Sequence, residues 1–289
     1  PLKAATDLVR YCKEQQMDVI VDHSGSPYTR LAHIYAALRL KKVRFLLYLH
    51  SNAYYSADKG IKEWVYARLL RSAARHSAKI VAISHSVAES YLRRYHLPKD
   101  KMQVVYNGTD LHRFIPHPAH TDTPLRLIYV GRIIRDKGID LLLEALAACP
   151  TDTPITLTLV GSDHGGYTEQ MQALAARLHL EDKVQFLGSR TDVPQLLQAA
   201  DLFVHPATCQ EGFGITLIEA MASGVPCLAF PKGAIPEIIG PEIDGFLTEE
   251  VSAAALTAGI NRALELFTKA PHHWHTLCKN ARQKAELFS

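Results

Sequence analysis

Short β-rich runs alternate with helical stretches along most of this chain, and that alternation restricts it to parallel sheets with helices on their faces. "DVIVDH" (18–23) reads as a buried strand, and "VRFLLYLH" (43–50), "KIVAIS" (79–84) and "MQVVYNG" (102–108) as further strands. Helical patterns such as "IKEWVYARLLRSAARHSA" (61–78) lie between them. A stretch rich in proline and threonine follows. The pattern then restarts with "LRLIYVG" (125–131), "ITLTLVG" (155–161), "KVQFLG" (183–188), "ADLFVHP" (200–206), "VPCLAF" (225–230) and "DGFLTE" (244–249). Two such trains predict an α/β chain of two doubly wound parallel-sheet domains facing a cleft. Their expected bounds are 1–115 and 125–289, with a linker over 116–124.

Composition agrees with a globular chain and narrows its partners. With 289 residues, 47% hydrophobic and 21% charged, there is material for two cores. A formal net charge of +3 is too small to argue for nucleic acid. The five cysteines are widely spaced and form no CxxC pair, which reads as reduced thiols of a cytoplasmic protein. No apolar run reaches the ~20 residues of a spanning helix, and no signal peptide leads the chain.

In parallel α/β sheets, ligands bind beyond the carboxyl ends of the strands. The turn after "LRLIYV" carries Gly131, Arg132, Lys137 and then Gly138 at a helix start. Two cations beside a helix N-terminus suit phosphate oxygens, although basic loops are common and two solvated charges would look the same. The second such turn is "CQEGFGITLIEAMASG" (209–224). Gly212 and Gly214 let backbone approach a ligand, and unpaired N–H groups at the helix start favour anions. Glu211 precedes the helix and Glu219 lies inside it. Each glutamate alone has an ordinary reading, Glu211 as a charge at a helix N-terminus and Glu219 as a solvent-facing side chain. Their placement around one glycine-marked helix start, in the same half as Arg132 and Lys137, points instead to a hydroxyl-rich ligand carrying an anion.

Together, "EGFGITLIEAMASGVP" and "VGRIIRDKGIDLLLEAL" resemble the E-x7-E signature and the strand–GR–KG–helix turn of the retaining GT-B glycosyltransferases of family four. Further similar stretches are "VAISHSVAESYLRRYHLPKDKMQVVYNGTDLHRF", "VQFLGSRTDVPQLLQAADLFVHPA" and "AIPEIIGPEIDGFL", in the family's order. The resemblance implies two Rossmann-like domains, a nucleotide-sugar donor, a glycan or lipid-linked acceptor, and neither metal nor cofactor. It implies that Arg132 and Lys137 neutralise the donor diphosphate, that Glu219 holds the ribose and that Glu211 sits at the transferred sugar. Phe213, Gly214 and Ile215 fall where backbone contacts sugar and phosphates. Gly131 lies in the diphosphate turn, and Gly161 and Leu187 lie where the nucleoside packs. His50 matches the first-domain histidine that faces the reacting sugar. Read alone, it would pass as one of 15 histidines.

Two departures bear on that expectation. Nothing resembles the family's first strand and glycine-rich loop, and "ARQKAELFS" stops where the family continues into a further helix. The first domain is therefore expected to be incomplete. That keeps a nucleotide-sugar-binding partner subunit without transfer activity open beside the transferase, as it does an epimerase or hydrolase of the same fold. Arg68, Arg71 and Arg75 recur on one helical face, with Lys41, Lys42 and Arg44 before them. They give either a solvated face or a peripheral contact with anionic membrane. The cluster His272, His273 and His275 has no spaced partner set for a metal.

Overall fold

In the computed structural model all residues are described except 1, 24–26, 54–59, 117–123, 151 and 164. The chain divides into two compact units, Pro1–Tyr106 and Asn107–Ser289. Most of the expected linker lies outside the described residues.

The first unit runs α1 (Leu2–Glu14), β1 (Val19–Asp22), α2 (Pro27–Arg39), β2 (Arg44–Leu49), α3 (Ile61–His76), β3 (Lys79–Ala82), α4 (His85–Tyr95) and β4 (Met102–Val104). Its strands pair in parallel in chain order, β1-β2-β3-β4. Along β2, Phe45, Leu47 and Leu49 are buried and alternate with less buried residues, the period of a strand with unlike faces. Phe45 packs with Cys12 of α1 and with Ala36 and Leu40 in and after α2. β1 departs from the buried strand expected of "DVIVDH". It is the sheet's edge, and Val19 and Val21 are exposed. Asp22 at its end is instead tied down by buried His33 of α2, whose Nδ1 lies 2.7 Å from Asp22 Oδ2.

The second unit runs β5 (Leu125–Val130), α5 (Ile139–Ala147), β6 (Ile155–Val160), α6 (Tyr167–Arg177), β7 (Val184–Gly188), α7 (Val193–Gln198), β8 (Leu202–His205), α8 (Ile215–Ala222), β9 (Cys227–Ala229), α9 (Ile235–Ile238), β10 (Gly245–Leu247), α10 (Ala253–Lys269) and α11 (Pro271–Ala285). All six strands are parallel, in the order β10-β9-β8-β5-β6-β7. The order reverses between β5 and β8, which makes their shared carboxyl edge the topological switch point. The core gathers Leu127, Tyr129, Leu157, Val204, Leu228, Phe267 and Trp274, all buried.

Residues 107–115, expected with the first domain, belong to the second unit. Contacts with the far end of the chain explain this. Thr109 N–H donates to Phe288 O at 3.0 Å. The Arg282 guanidinium donates to Phe114 O at 2.8 Å and to Ala222 O at 2.6 Å. These contacts fasten the segment to α11 and to the end of α8.

Candidate active site

At the switch point the chain leaves β5 and β8 side by side, and their two following loops meet. Backbone joins them: Thr208 N–H donates to Asp136 O at 3.0 Å. The turn after β5 carries Gly131, exposed Arg132 and a short 3-10 turn, Arg135–Lys137. Tyr129, fully buried on β5, sends its hydroxyl to Arg132 O at 2.8 Å and so fixes the peptide from which the arginine projects. The floor beneath is backbone against backbone. A Cβ on Gly161, just after β6, would lie 1.6 Å from Gly131 O.

Lys137 and Glu211 meet here. Their Nζ–Oε2 separation is 2.5 Å, with side chains 13% and 19% exposed. His205, the last residue of β8, approaches the same carboxylate oxygen through Nε2 at 3.2 Å. Burial pushes the Glu211 carboxyl upward, but the hydrogen bond and charge of His205 and the Lys137 ammonium outweigh it and hold the group at about 2. Main-chain contacts fix the Glu211 backbone as well. Ala234 N–H donates to Glu211 O at 2.9 Å. Gly233, at φ +61, lies so close that a Cβ there would stand 2.1 Å from that oxygen.

Helix α8 starts beside this pair. Gly214 occupies its N-cap with no side-chain cap, and no acidic residue lies in its first turn. The N–H groups at the start of α8 keep their preference for an anion. Phe213 is buried edge-on against Phe288, with centroids 5.8 Å apart, while Ile215 is exposed. Glu219 sits on the fifth residue of α8, half-buried. Burial pushes its carboxyl up and the charge of Arg113 partly offsets this. Leu187 lies half-buried on the edge strand β7.

The first unit carries its own polar cluster at strand ends. His50 follows β2 and His23 follows the neighbouring β1, and His23 Nδ1 lies 2.7 Å from His50 Nε2. Tyr48 stacks with both rings at centroid distances of 4.8 Å. Burial and the nearby His23 lower the His50 pKa. His205 and His23 were not singled out from the sequence. Each ends an apolar strand run, and a histidine closing such a run is the signal that marks them.

Residues 113–284 match the family profile of Glycosyl transferases group 1, and residues 1–113 match that of Glycosyltransferase Family 4. The chain is 26% identical over 258 residues to the N-acetyl-alpha-D-glucosaminyl L-malate synthase of Bacillus anthracis, covering 86% of this chain and 65% of that protein. It is 24% identical over 261 residues to an Escherichia coli UDP-Gal:alpha-D-GlcNAc-diphosphoundecaprenol alpha-1,3-galactosyltransferase, covering 86% and 66%. The chain thus spans less than two thirds of the length of either relative. Among solved structures it is similar to Anabaena Alr3699/HepE, at 25% identity. The complex with UDP gives a TM-score of 0.84 over 98% of this chain and 77% of that one. The complex with UDP-glucose gives 0.81 over 100% and 79%.

Proposed function

Because this chain belongs to the group 1 glycosyltransferase family, we propose that it moves a sugar from a nucleotide-sugar donor to a glycan or lipid-linked acceptor, with retention of anomeric configuration and without a metal. The observation that carries this is the junction at the switch point. The Lys137 ammonium and the Glu211 carboxylate meet there just before helix α8, whose N-cap glycine offers no side-chain cap, with exposed Arg132 on the same turn as Lys137 and a second carboxylate, Glu219, inside α8. The complexes of Alr3699/HepE with UDP and UDP-glucose support a donor of that class.

Each group has a task in this reading. Arg132, Lys137 and the first N–H groups of α8 take up the negative charge that grows on the diphosphate as the bond from sugar C1 to phosphate oxygen breaks. Gly131, Gly161 and Gly214 let backbone come close, Leu187 packs on the nucleoside, and the main chain of Phe213 and Ile215 meets sugar and phosphate. Glu219 accepts from the ribose hydroxyls and Glu211 from a sugar hydroxyl. The acceptor oxygen attacks C1 from the face the phosphate leaves, and its proton passes to the departing phosphate. Glu211 is then no nucleophile, since a double displacement needs a carboxylate on the opposite face. His50 serves the reacting sugar from the first unit.

On the acceptor side we propose a peripheral contact with anionic membrane through α3. Among the described residues no helix is long and apolar enough to cross a membrane. The exposed row of α3 carries Ile61, Trp64 and Val65, with the Arg68 guanidinium 4.9 Å over the Trp64 ring. An apolar wedge with arginine beside it suits a lipid headgroup layer. Arg71 is less available than the sequence pattern implies, because its Nε donates to Ala67 O at 3.1 Å.

The deciding experiment screens UDP- and GDP-sugars for binding and for slow hydrolysis. Binding together with hydrolysis is expected for one donor. Binding without turnover, with or without acceptor, would favour a partner subunit. Absence of nucleotide binding would remove the donor assignment.

A further inference from the structure

β8 buries every residue it has. Leu202, Phe203 and Val204 are wholly buried and apolar, and then comes His205, 3% exposed. A leucine there would complete the apolar run. The imidazole instead brings a buried Nδ1 that has no hydrogen-bond partner among the described residues. An idle buried nitrogen costs stability, so packing alone does not account for this residue. Its other nitrogen is engaged: Nε2 lies 3.2 Å from Glu211 Oε2. Facing an ionised carboxylate, Nε2 must carry the hydrogen, whatever the state of Nδ1.

Lys137 Nζ and His205 Nε2 converge on the same oxygen, Oε2. They differ in freedom. Lys137 stands on a 3-10 turn at the end of a flexible four-carbon stem. His205 is locked in a central strand, its ring stacked parallel to that of Phe203 at 6.2 Å. An anion arriving at this junction can draw Lys137 away but cannot draw His205.

We propose that His205 is a positioning residue, keeping a donor on Glu211 Oε2 and the carboxylate in place when Lys137 turns from Glu211 to the diphosphate of the donor. The role rests on the donor-site reading above. It divides the work at this junction between a mobile cation that answers the ligand and a fixed imidazole that holds the glutamate for the sugar.

Two arms test it. In the first, His205→Leu and His205→Gln are compared with the unaltered chain, using whichever of UDP or GDP that chain binds and the matching nucleotide-glucose. His205→Leu should leave nucleoside diphosphate affinity within about twofold and lower kcat for the sugar nucleotide by about tenfold or more. It should lower Tm at pH 7, because Glu211 loses a hydrogen-bond donor, with removal of the idle nitrogen offsetting part of the loss. His205→Gln restores an N–H near the Nε2 position and should recover most of kcat. Unchanged kcat in His205→Leu, or an equal loss in His205→Gln, overturns the proposal.

The second arm needs no ligand. Lys137→Ala imitates the departure of Lys137, and the Glu211 side-chain carboxyl is followed by carbon NMR during acid titration. Tyr129 and Cys209 also lie near Glu211 and are unchanged in both variants. Glu211 should titrate well below its ordinary range in Lys137→Ala and markedly higher in Lys137→Ala/His205→Leu. Identical titrations overturn the proposal. If this difference appears while the unaltered chain binds no nucleotide, the donor reading fails and the hold of His205 on Glu211 stands.

Discussion

Lys137 Nζ lies 2.5 Å from Glu211 Oε2, although the two residues are 74 positions apart in the chain. The cation assigned to the diphosphate thus has a carboxylate partner already in place. A phosphate must compete with Glu211 for it. Glu211→Gln should therefore release the ammonium and tighten nucleoside diphosphate binding by about threefold to tenfold, worth roughly 1 kcal/mol. Lys137→Ala should weaken the same ligand by roughly tenfold to a hundredfold and hardly affect the bare nucleoside. Calorimetric titration with both ligands decides it. Equal losses for diphosphate and nucleoside would assign Lys137 to the fold alone.

Acid should weaken the second unit through Glu211, whose carboxylate is held down by His205 and by Lys137. The folded Glu211 carboxyl is held at about 2, against an ordinary value of 4.5. A depressed carboxylate contributes stability that is complete above its unfolded value and is lost as pH falls toward the folded one. The contribution of Glu211 is thus full above about pH 4.5 and disappears toward pH 2. Chemical denaturation at pH 6 and pH 3 should show a smaller difference for Glu211→Gln than for the unaltered chain.

Glu219 should behave in the opposite sense. Burial raises its carboxyl and the charge of Arg113 only partly offsets this. A raised carboxyl opposes folding once pH exceeds its unfolded value, because the folded state prefers the protonated form. Glu219→Gln should raise Tm at pH 7. It should also weaken the nucleoside diphosphate and the intact sugar nucleotide alike, since the proposed partner is the ribose. A variant that is more stable yet binds both ligands as before would leave the carboxylate without a ligand role.

Chelation tests the way the diphosphate is neutralised. If Arg132, Lys137 and the α8 N-terminus carry that charge, EDTA should leave nucleotide binding and sugar-nucleotide turnover within about twofold. Loss restored only by Mg²⁺ or Mn²⁺ would overturn the metal-free reading.

The proposed membrane contact rests on α3. Trp64→Ser combined with Ile61→Ser should abolish co-sedimentation with vesicles containing anionic lipid, and raised salt should weaken it for the unaltered chain. Retention on vesicles by the double variant would place any contact elsewhere.

Much of the strand and helix pattern was legible because it is local. The apolar period of "LRLIYV" or "ITLTLV" needs no distant partner to be read. The junction is a different matter. Glu211 reaches Lys137 because β8 pairs with β5 while β6 and β7 lie on the other side, and no window of residues encodes that order. The motif placed both residues in one donor site, but their ion pair came only with the fold. The exposed side of β1 was hidden for a related reason. "VIVD" is as apolar as a central strand, and its edge position follows from which strands pair. Residues 107–115 went astray because their anchors, Phe288 and Arg282, lie far along the chain.

The glycine floor under the junction sets where this protein can be engineered. With Gly131 O standing 1.6 Å from any Cβ on Gly161, and Glu211 O 2.1 Å from one on Gly233, saturation at those positions would fill a library with misfolded clones. Arg135 and Ile215 already carry side chains and are exposed beside the same loops, so exchanging them adds no such backbone clash. A search for altered donor choice is best confined to such outward positions, where diversity changes what the loops touch and leaves their paths intact.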